Sequence, residues 1–161
     1  MNPLSLAART VCNLFAWFLI IFGVYIIIHG DMSPGGGFQG GAVVASFMAL
    51  LLVSHGGKRI LKWVHMSVYW VLLFFGLLLF IGLGFWGLGH GAFFLNYLAV
   101  PHHVAASMSH GLVPFSGTIG LMDIAVGIEV AGGLTIILIA MFRGILLQDF
   151  SDDQKEAGHG A

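Results

Sequence analysis

The sequence has few charged residues for its length. Six Lys or Arg and seven Asp or Glu among 161 residues make up 8% of the chain, whereas about 25% is usual in soluble domains. Together with a hydrophobic content of 58%, this shortage excludes a soluble globular domain and a disordered chain. A net charge of -1 without a basic patch also excludes a nucleic-acid-binding protein. An integral membrane protein remains.

Cysteine is also scarce, and potential metal ligands are poorly arranged. The single cysteine, Cys12, excludes a disulfide framework and any Cys-based zinc or iron–sulfur site. Several histidines share one segment: His90, His102, His103 and His110. Adjacent histidines diverge, and no cysteine or nearby carboxylate completes a set of ligands. We therefore expect neither a metal site nor a cofactor.

Long apolar runs predict an all-α integral membrane protein with four transmembrane helices. The runs cover residues 11–28, 38–53, 63–83 and 118–142, and each is close to the length that crosses a bilayer. Residues 84–117 are expected to form an outer loop with a short interfacial helix at about 92–100. Residues 143–161 are expected to form a cytoplasmic tail, in which residues 148–161 are frayed or contact a partner. The whole chain, 1–161, is expected to form one membrane domain.

The basic residues predict the orientation of these helices. With four spans, every Lys and Arg falls on one side of the membrane: Arg9, Lys58, Arg59, Lys62, Arg143 and Lys155. Because cytoplasmic segments are enriched in Lys and Arg, we expect both termini to be cytoplasmic.

A glycine-rich segment precedes the short second span. Residues 34–41 read Pro-Gly-Gly-Gly-Phe-Gln-Gly-Gly and satisfy the dinucleotide-binding pattern literally. That pattern has meaning only between a strand and a helix, so we interpret the segment as a packing feature. Gly37, Gly41 and Ala45 fall on one helical face, which allows a neighbouring helix to approach closely. A direct role of unwound backbone in ion passage, as in broken transporter helices, is the alternative.

Two carboxylates lie inside the fourth span. Glu129 is close to its centre, where a charge costs at least about 2.5–3.5 kcal/mol. It is a candidate for a proton or cation path; the alternatives are a neutral structural carboxyl and an ion pair with a lysine of a partner subunit. Asp123 lies nearer the outer end, where the alternative role is a helix N-terminal acid favoured by the helix dipole. The two are about 120° apart around the helix, so we expect them to face different neighbours.

His65, at the start of the third span, is the third candidate for the path. Imidazole titrates near neutral pH, so this residue could relay protons at an entrance. An interfacial histidine with an ordinary hydrogen bond is the alternative.

Residues 29–41 closely resemble the signature that joins the first two of four helices in the MnhB or MrpB family, the B-type subunits of Mrp-type multisubunit Na⁺/H⁺ antiporters. The matching positions are His29, Asp31, Pro34, Gly35, Gly36, Gly37, Phe38, Gly40 and Gly41. The resemblance implies a non-enzymatic subunit that supports assembly of a complex moving Na⁺ and H⁺ across a prokaryotic plasma membrane. It implies large antiporter-like A- and D-type subunits and a small C-type subunit as partners in the bilayer.

The resemblance leaves the host complex open. The same family occurs in ion-translocating modules of membrane-bound, ferredoxin-linked hydrogenases and sulfur-reducing complexes. A stand-alone channel or transporter is a third hypothesis, although it requires more polar residues along a lumen than this chain offers. Two enzyme hypotheses are excluded. A haem-binding bundle requires paired histidines, and a quinone-linked thiol oxidoreductase requires paired cysteines; the sequence has neither.

Overall fold

The computed structural model describes residues 4–30, 34–89, 91–96, 98 and 117–159, and these residues form helices and turns without a strand. The helices are α1 (Leu6–Ile28), α2 (Gly37–His55), α3 (Gly57–Trp63), α4 (Met66–Leu88) and α5 (Thr118–His159). All but the seven-residue α3 are long and apolar enough to cross a membrane. The predicted all-α architecture with four membrane-spanning helices is therefore confirmed.

The four long helices lie side by side in a row. Helices α2 and α5 form the central pair, with α1 packed on the outer side of α2 and α4 on the outer side of α5. Within the described residues, α4 contacts neither α1 nor α2, and α1 touches α5 only slightly. The row α1–α2–α5–α4 is thus open, because its first and last helices, α1 and α4, do not meet within the described residues.

Glycines set the spacing between the helices of this row. A Cβ added to Gly40 would lie 2.8 Å from the carbonyl oxygen of Gly23, across the contact between α1 and α2. A Cβ added to Gly41 would lie 2.8 Å from the carbonyl oxygen of Gly127, across the contact between α2 and α5. Small residues let backbones approach in this way, which strengthens van der Waals packing where lipid supplies no hydrophobic drive.

The helices of the row have two ends along their length, one at each side of the membrane span, and these two ends are chemically different. At one end, the Leu4 N–H donates to the carbonyl oxygen of Ser54 (3.2 Å), so the start of α1 lies beside the end of α2. A Cβ on Gly57 would lie 3.2 Å from the Phe142 ring, which brings α5 to the same end. Arg9, Arg59 and Arg143 therefore share what we call the basic end. The glycine-rich segment lies at the other end.

The connection between α2 and α4 differs from the prediction. Residues 57–63 form the separate helix α3, and α4 begins at Met66 rather than at Trp63. Gly56, with a φ of 81°, separates α2 from α3, a left-handed conformation that glycine adopts without strain. The run that begins at Trp63 is thus divided between two helices.

The predicted start of the outer loop, at Gly84, is also wrong, because α4 continues to Leu88. The chain after α4 folds back onto this extra turn: the Phe94 N–H donates to the carbonyl oxygen of Gly84 (3.2 Å). A Cβ on Gly84 would lie 2.8 Å from the Phe94 ring. Residues 92–96 form turns and irregular chain rather than the start of the expected interfacial helix; most of residues 97–100 lie outside the described part.

The predicted tail, residues 143–161, instead continues the last helix, because α5 extends to His159. This stretch has no proline and contains good helix formers such as Gln, Lys, Glu and Ala. The apolar part, Thr118–Gln148, already has 31 residues and is about 46 Å long at 1.5 Å per residue. Since a hydrocarbon core is about 30 Å thick, α5 extends beyond it.

Candidate functional site

Asp123, in the second turn of α5, caps the start of α2. Its Oδ1 accepts a hydrogen bond of 2.6 Å from the N–H of Gly37, the first residue of α2. The first N–H groups of a helix have no acceptor within the helix, and the helix dipole favours a negative charge beside them. A carboxylate on the last helix thus stabilises the N-terminus of the second.

A second side chain completes this cap. The Gly36 N–H donates to Oε1 of Gln39 (2.9 Å), which reaches back three residues as in a capping box. Two successive N–H groups at the start of α2 are therefore satisfied, one by its own helix and one by α5. We call the arrangement of Asp123 and Gln39 around Gly30, Gly36 and Gly37 the Asp123 cap.

The glycines of the Asp123 cap make room for the carboxylate. A Cβ on Gly30 would overlap Oδ2 of Asp123, and a Cβ on Gly36 would lie 3.0 Å from Oδ1. A Cβ on Gly37 would collide with the Asp123 carbonyl oxygen and lie 2.9 Å from the Gly127 nitrogen. The carboxyl itself is tightly enclosed, because its Oδ2 is buried and has no hydrogen-bond partner in the described part of the chain.

His29 immediately follows the last residue of α1, next to this cap. Its backbone N–H donates to the carbonyl oxygen of Tyr25 (3.1 Å), and its ring Nδ1 lies 3.0 Å from the same oxygen. The imidazole also stacks on the Tyr25 ring, with centroids 4.2 Å apart. The ring of His29 is therefore held against its own helix.

The remaining motif positions divide between packing and surface. Gly40, Gly41 and Ala45 are buried in the row, Gly40 against α1 and Gly41 against α5. Phe38 is 61% exposed, and Pro34 is also exposed and Gly35 half-buried. Asp31 lies outside the described residues. Gly41, on the small-residue face that the spacing predicts, thus contacts α5. Gly40, on another side of α2, adds a close contact with α1.

Glu129 lies against a different helix. A Cβ on Gly76 of α4 would be 2.8 Å from the Glu129 Cβ and 2.8 Å from the Ala125 carbonyl oxygen, so this carboxylate projects from the contact between α4 and α5. Its side chain is half-buried and forms no hydrogen bond or ion pair with any described residue. The angle of about 120° between positions 123 and 129 explains why Asp123 meets α2 whereas Glu129 meets α4.

His65 is remote from both carboxylates. It is the exposed residue immediately before α4 and lines a cavity of about 250 Å³ together with Trp63 and Tyr69. At about 1.5 Å per residue, it lies about 16 Å along α4 from Gly76, the residue level with Glu129. The three candidate path residues therefore occupy three separate places.

The described residues contain no group of three His, Cys, Asp or Glu placed to hold a metal ion. The loop histidines considered above, His90, His102, His103 and His110, lie outside those residues, as does any site that they form.

These features define a class: a multi-pass α-helical membrane protein in which glycines set the helix spacing and a carboxylate of the last span caps the second. Residues 7–136 match the family described as the domain related to the MnhB subunit of Na⁺/H⁺ antiporter. The chain belongs to this MnhB family. The match includes the glycine-rich segment, Asp123 and Glu129.

Individual relatives agree with the family. The chain is 31% identical over 134 residues to the B-type Na⁺/H⁺ antiporter subunit of Alkalihalophilus pseudofirmus, covering 81% of this chain and 88% of that protein. It is 30% identical over 93 residues to the B-type Na⁺/H⁺ antiporter subunit of Bacillus subtilis, covering 58% and 64%. An uncharacterized protein of Methanocaldococcus jannaschii is 26% identical over 140 residues, covering 86% of this chain; the match spans 53%, about half, of that protein.

Proposed function

We propose that this chain is a non-catalytic membrane subunit of a multisubunit Na⁺/H⁺ antiporter in the plasma membrane of a prokaryote. The observation that carries the proposal is the family match over residues 7–136. It is supported by the relatives in A. pseudofirmus and B. subtilis, which are named as B-type subunits of such antiporters.

The open row of helices supports a role within a larger assembly. The outer helices leave large apolar side chains exposed, for example Leu14 of α1 (77%) and Leu78 of α4 (67%). These faces are suited to lipid or to other membrane subunits. A stand-alone channel requires more polar residues along a lumen than this chain offers, so it is the weaker hypothesis. We propose large A- and D-type subunits and a small C-type subunit as the partners.

The two carboxylates take different roles in this proposal. Asp123 holds the start of α2 through its hydrogen bond to Gly37, which makes it a positioning residue. Glu129 has no partner among the described side chains and lies near the middle of its span, where an unpaired charge is costly. We therefore assign Glu129 to a proton or cation path completed by a neighbouring subunit, with His65 at its entrance.

The shared basic end supports the proposed orientation. Arg9, Arg59 and Arg143 lie at the same end of the row, and the positive-inside rule assigns such an end to the cytoplasm. Both chain termini are then cytoplasmic, and the Asp123 cap lies at the outer side.

Co-migration with larger subunits tests the proposed function. The chain, tagged at one terminus, is solubilised from its native membrane in a mild detergent and separated on a native gel. We expect it in a band that also contains larger antiporter-like subunits. A chain that migrates as a monomer or homo-oligomer, and that exchanges Na⁺ for H⁺ when reconstituted by itself, would overturn the proposal.

A further inference from the structure

A cationic pocket opens at the basic end of the row. Its volume is about 500 Å³, and it is lined by Arg9, His55, Arg59, Ile60 and Trp63. None of these lining residues is acidic, so the pocket gathers two guanidinium groups and an imidazole without a neutralising carboxylate among the side chains that the structure describes. We call it the basic pocket.

Arg9 supplies the strongest indication that the basic pocket has a ligand. Its Nε is buried and has no hydrogen-bond partner in the part of the chain that the structure describes. Burying a donor without an acceptor costs the hydration of that group, and the cost is larger for a charged one. Arg59, which is exposed, forms no ion pair with a described residue either. An anion in the pocket would meet the guanidinium groups of Arg9 and Arg59, and its charge would offset that of the partly buried Arg9.

The surroundings of the basic pocket point to the membrane interface. Trp63, the last residue of α3, is 84% exposed, and tryptophan is enriched at the level of lipid headgroups. Arg9 lies in the first turn of α1 and His55 ends α2, so the pocket is at the level where two spans leave the hydrocarbon core. The ring of His55 is held in place by Ser54, whose Oγ is 2.9 Å from Nδ1.

We propose that the basic pocket binds the phosphate of an anionic phospholipid headgroup. Arginine forks bind phosphate oxygens through short, charge-assisted hydrogen bonds, and basic pockets between membrane helices on the cytoplasmic side hold anionic headgroups. The exposed Trp63 and the apolar flank of α1 accommodate the glycerol backbone and acyl chains. Free phosphate has neither group and would make no contact there. This inference concerns lipid binding and does not depend on the proposed transport role.

Native mass spectrometry of the full-length chain tests the proposal. The purified protein is titrated with phosphatidylglycerol, with phosphatidylcholine of the same acyl chains, and with inorganic phosphate. The variants are Arg59→Gln, which alters an exposed residue, and the double variant Arg9→Gln/Arg59→Gln. Arg143→Gln is the matched control, because Arg143 is an exposed arginine at the same end that does not line the pocket. Helix content by circular dichroism checks that each variant is folded.

We expect phosphatidylglycerol to remain bound at concentrations where phosphatidylcholine and inorganic phosphate do not. The double variant should weaken this binding by about tenfold or more, since each arginine near an anionic headgroup contributes about 1 kcal/mol. Arg59→Gln should lie between the double variant and the wild type, and Arg143→Gln should match the wild type.

Four results would overturn the proposal. If phosphatidylcholine binds as tightly as phosphatidylglycerol, binding does not depend on the headgroup charge. If inorganic phosphate competes as well as phosphatidylglycerol, the pocket is a free-phosphate site. A loss with Arg143→Gln as large as with the double variant would indicate non-specific attraction to a basic surface. If an acidic partner subunit occupies the pocket instead, the folded double variant should bind lipid as the wild type does, and that subunit should be lost from the complex.

Discussion

Replacing Asp123 with alanine removes the acceptor of the 2.6 Å hydrogen bond from the Gly37 N–H. Gly37 is buried, and as the first residue of α2 it has no acceptor within its own helix. The substitution therefore leaves a buried donor without a partner and removes the negative charge that faces the N-terminal end of the α2 dipole. Both changes weaken the contact between the central helices α2 and α5.

The size of the effect follows from these two contributions. A buried donor without a partner costs about 1–3 kcal/mol, and a charge at a helix end contributes about 0.3–1 kcal/mol. Removing Oδ2, which is itself buried without a partner among the described residues, recovers part of this. We expect Asp123→Ala to lower the free energy of unfolding by about 1–3 kcal/mol. Asp123→Asn, which keeps an acceptor for Gly37, should lose less than Asp123→Ala.

Unfolding of the purified chain by sodium dodecyl sulfate in mixed micelles, followed by circular dichroism, measures these differences. Glu129→Gln is the control on the same helix, because that carboxylate has no partner among the described residues; we expect its stability to stay close to wild type. An Asp123→Ala variant within about 0.5 kcal/mol of wild type, the range of ordinary surface changes, would refute the capping role. So would an Asp123→Asn variant as unstable as Asp123→Ala.

Further predictions concern the glycines, the second capping side chain and the path. Gly37→Ala should destabilise the chain by about 1–3 kcal/mol, as overpacking does, because its Cβ meets α5 backbone. Gly82→Ala, with open space around its Cβ, should be neutral or stabilise α4 by up to about 1 kcal/mol; equal thermal stabilities of the two variants would contradict the close contact. Gln39→Ala should cost about 0.5–2 kcal/mol, the usual loss of a helix cap, in the same detergent titration. Glu129→Gln in the assembled complex should slow Na⁺-driven proton movement in membrane vesicles while subunit composition stays intact; an unchanged rate would make Glu129 a structural residue.

The sequence predicts the number of spans well because hydropathy reports directly on the transfer of each segment into lipid. It predicts helix ends less well, because a glycine can either end a membrane helix or lie within it at a close packing contact. Gly84 suggests the end of a span, yet it lies within α4 and accepts a hydrogen bond from the Phe94 N–H. Gly56, with its φ of 81°, does end a helix. Only the packing around each glycine distinguishes the two cases.

The sequence also does not show which helices pack against each other. Consecutive spans usually pack together, but α4 does not contact α2 within the described residues, because α5 lies between them. The long segment between α4 and α5 allows this insertion. The hydrogen bond from Gly37 to Asp123 therefore joins residues 86 positions apart, and no local pattern predicts it. In the sequence, Arg9 and Arg59 likewise indicate only the orientation, whereas the fold brings them into one pocket with His55.

Na⁺/H⁺ exchange with and without this chain tests the central claim most directly. Inside-out membrane vesicles are prepared from a host that expresses the complete complex and from one that lacks only this chain, and Na⁺-induced pH changes are followed with a fluorescent dye. Purified chain alone is reconstituted into liposomes and measured in parallel. The account predicts exchange in the complete complex, its loss without this chain, and none from the chain alone. Exchange at the full rate in its absence, or exchange by the isolated chain, would contradict the assignment as a subunit of a larger antiporter.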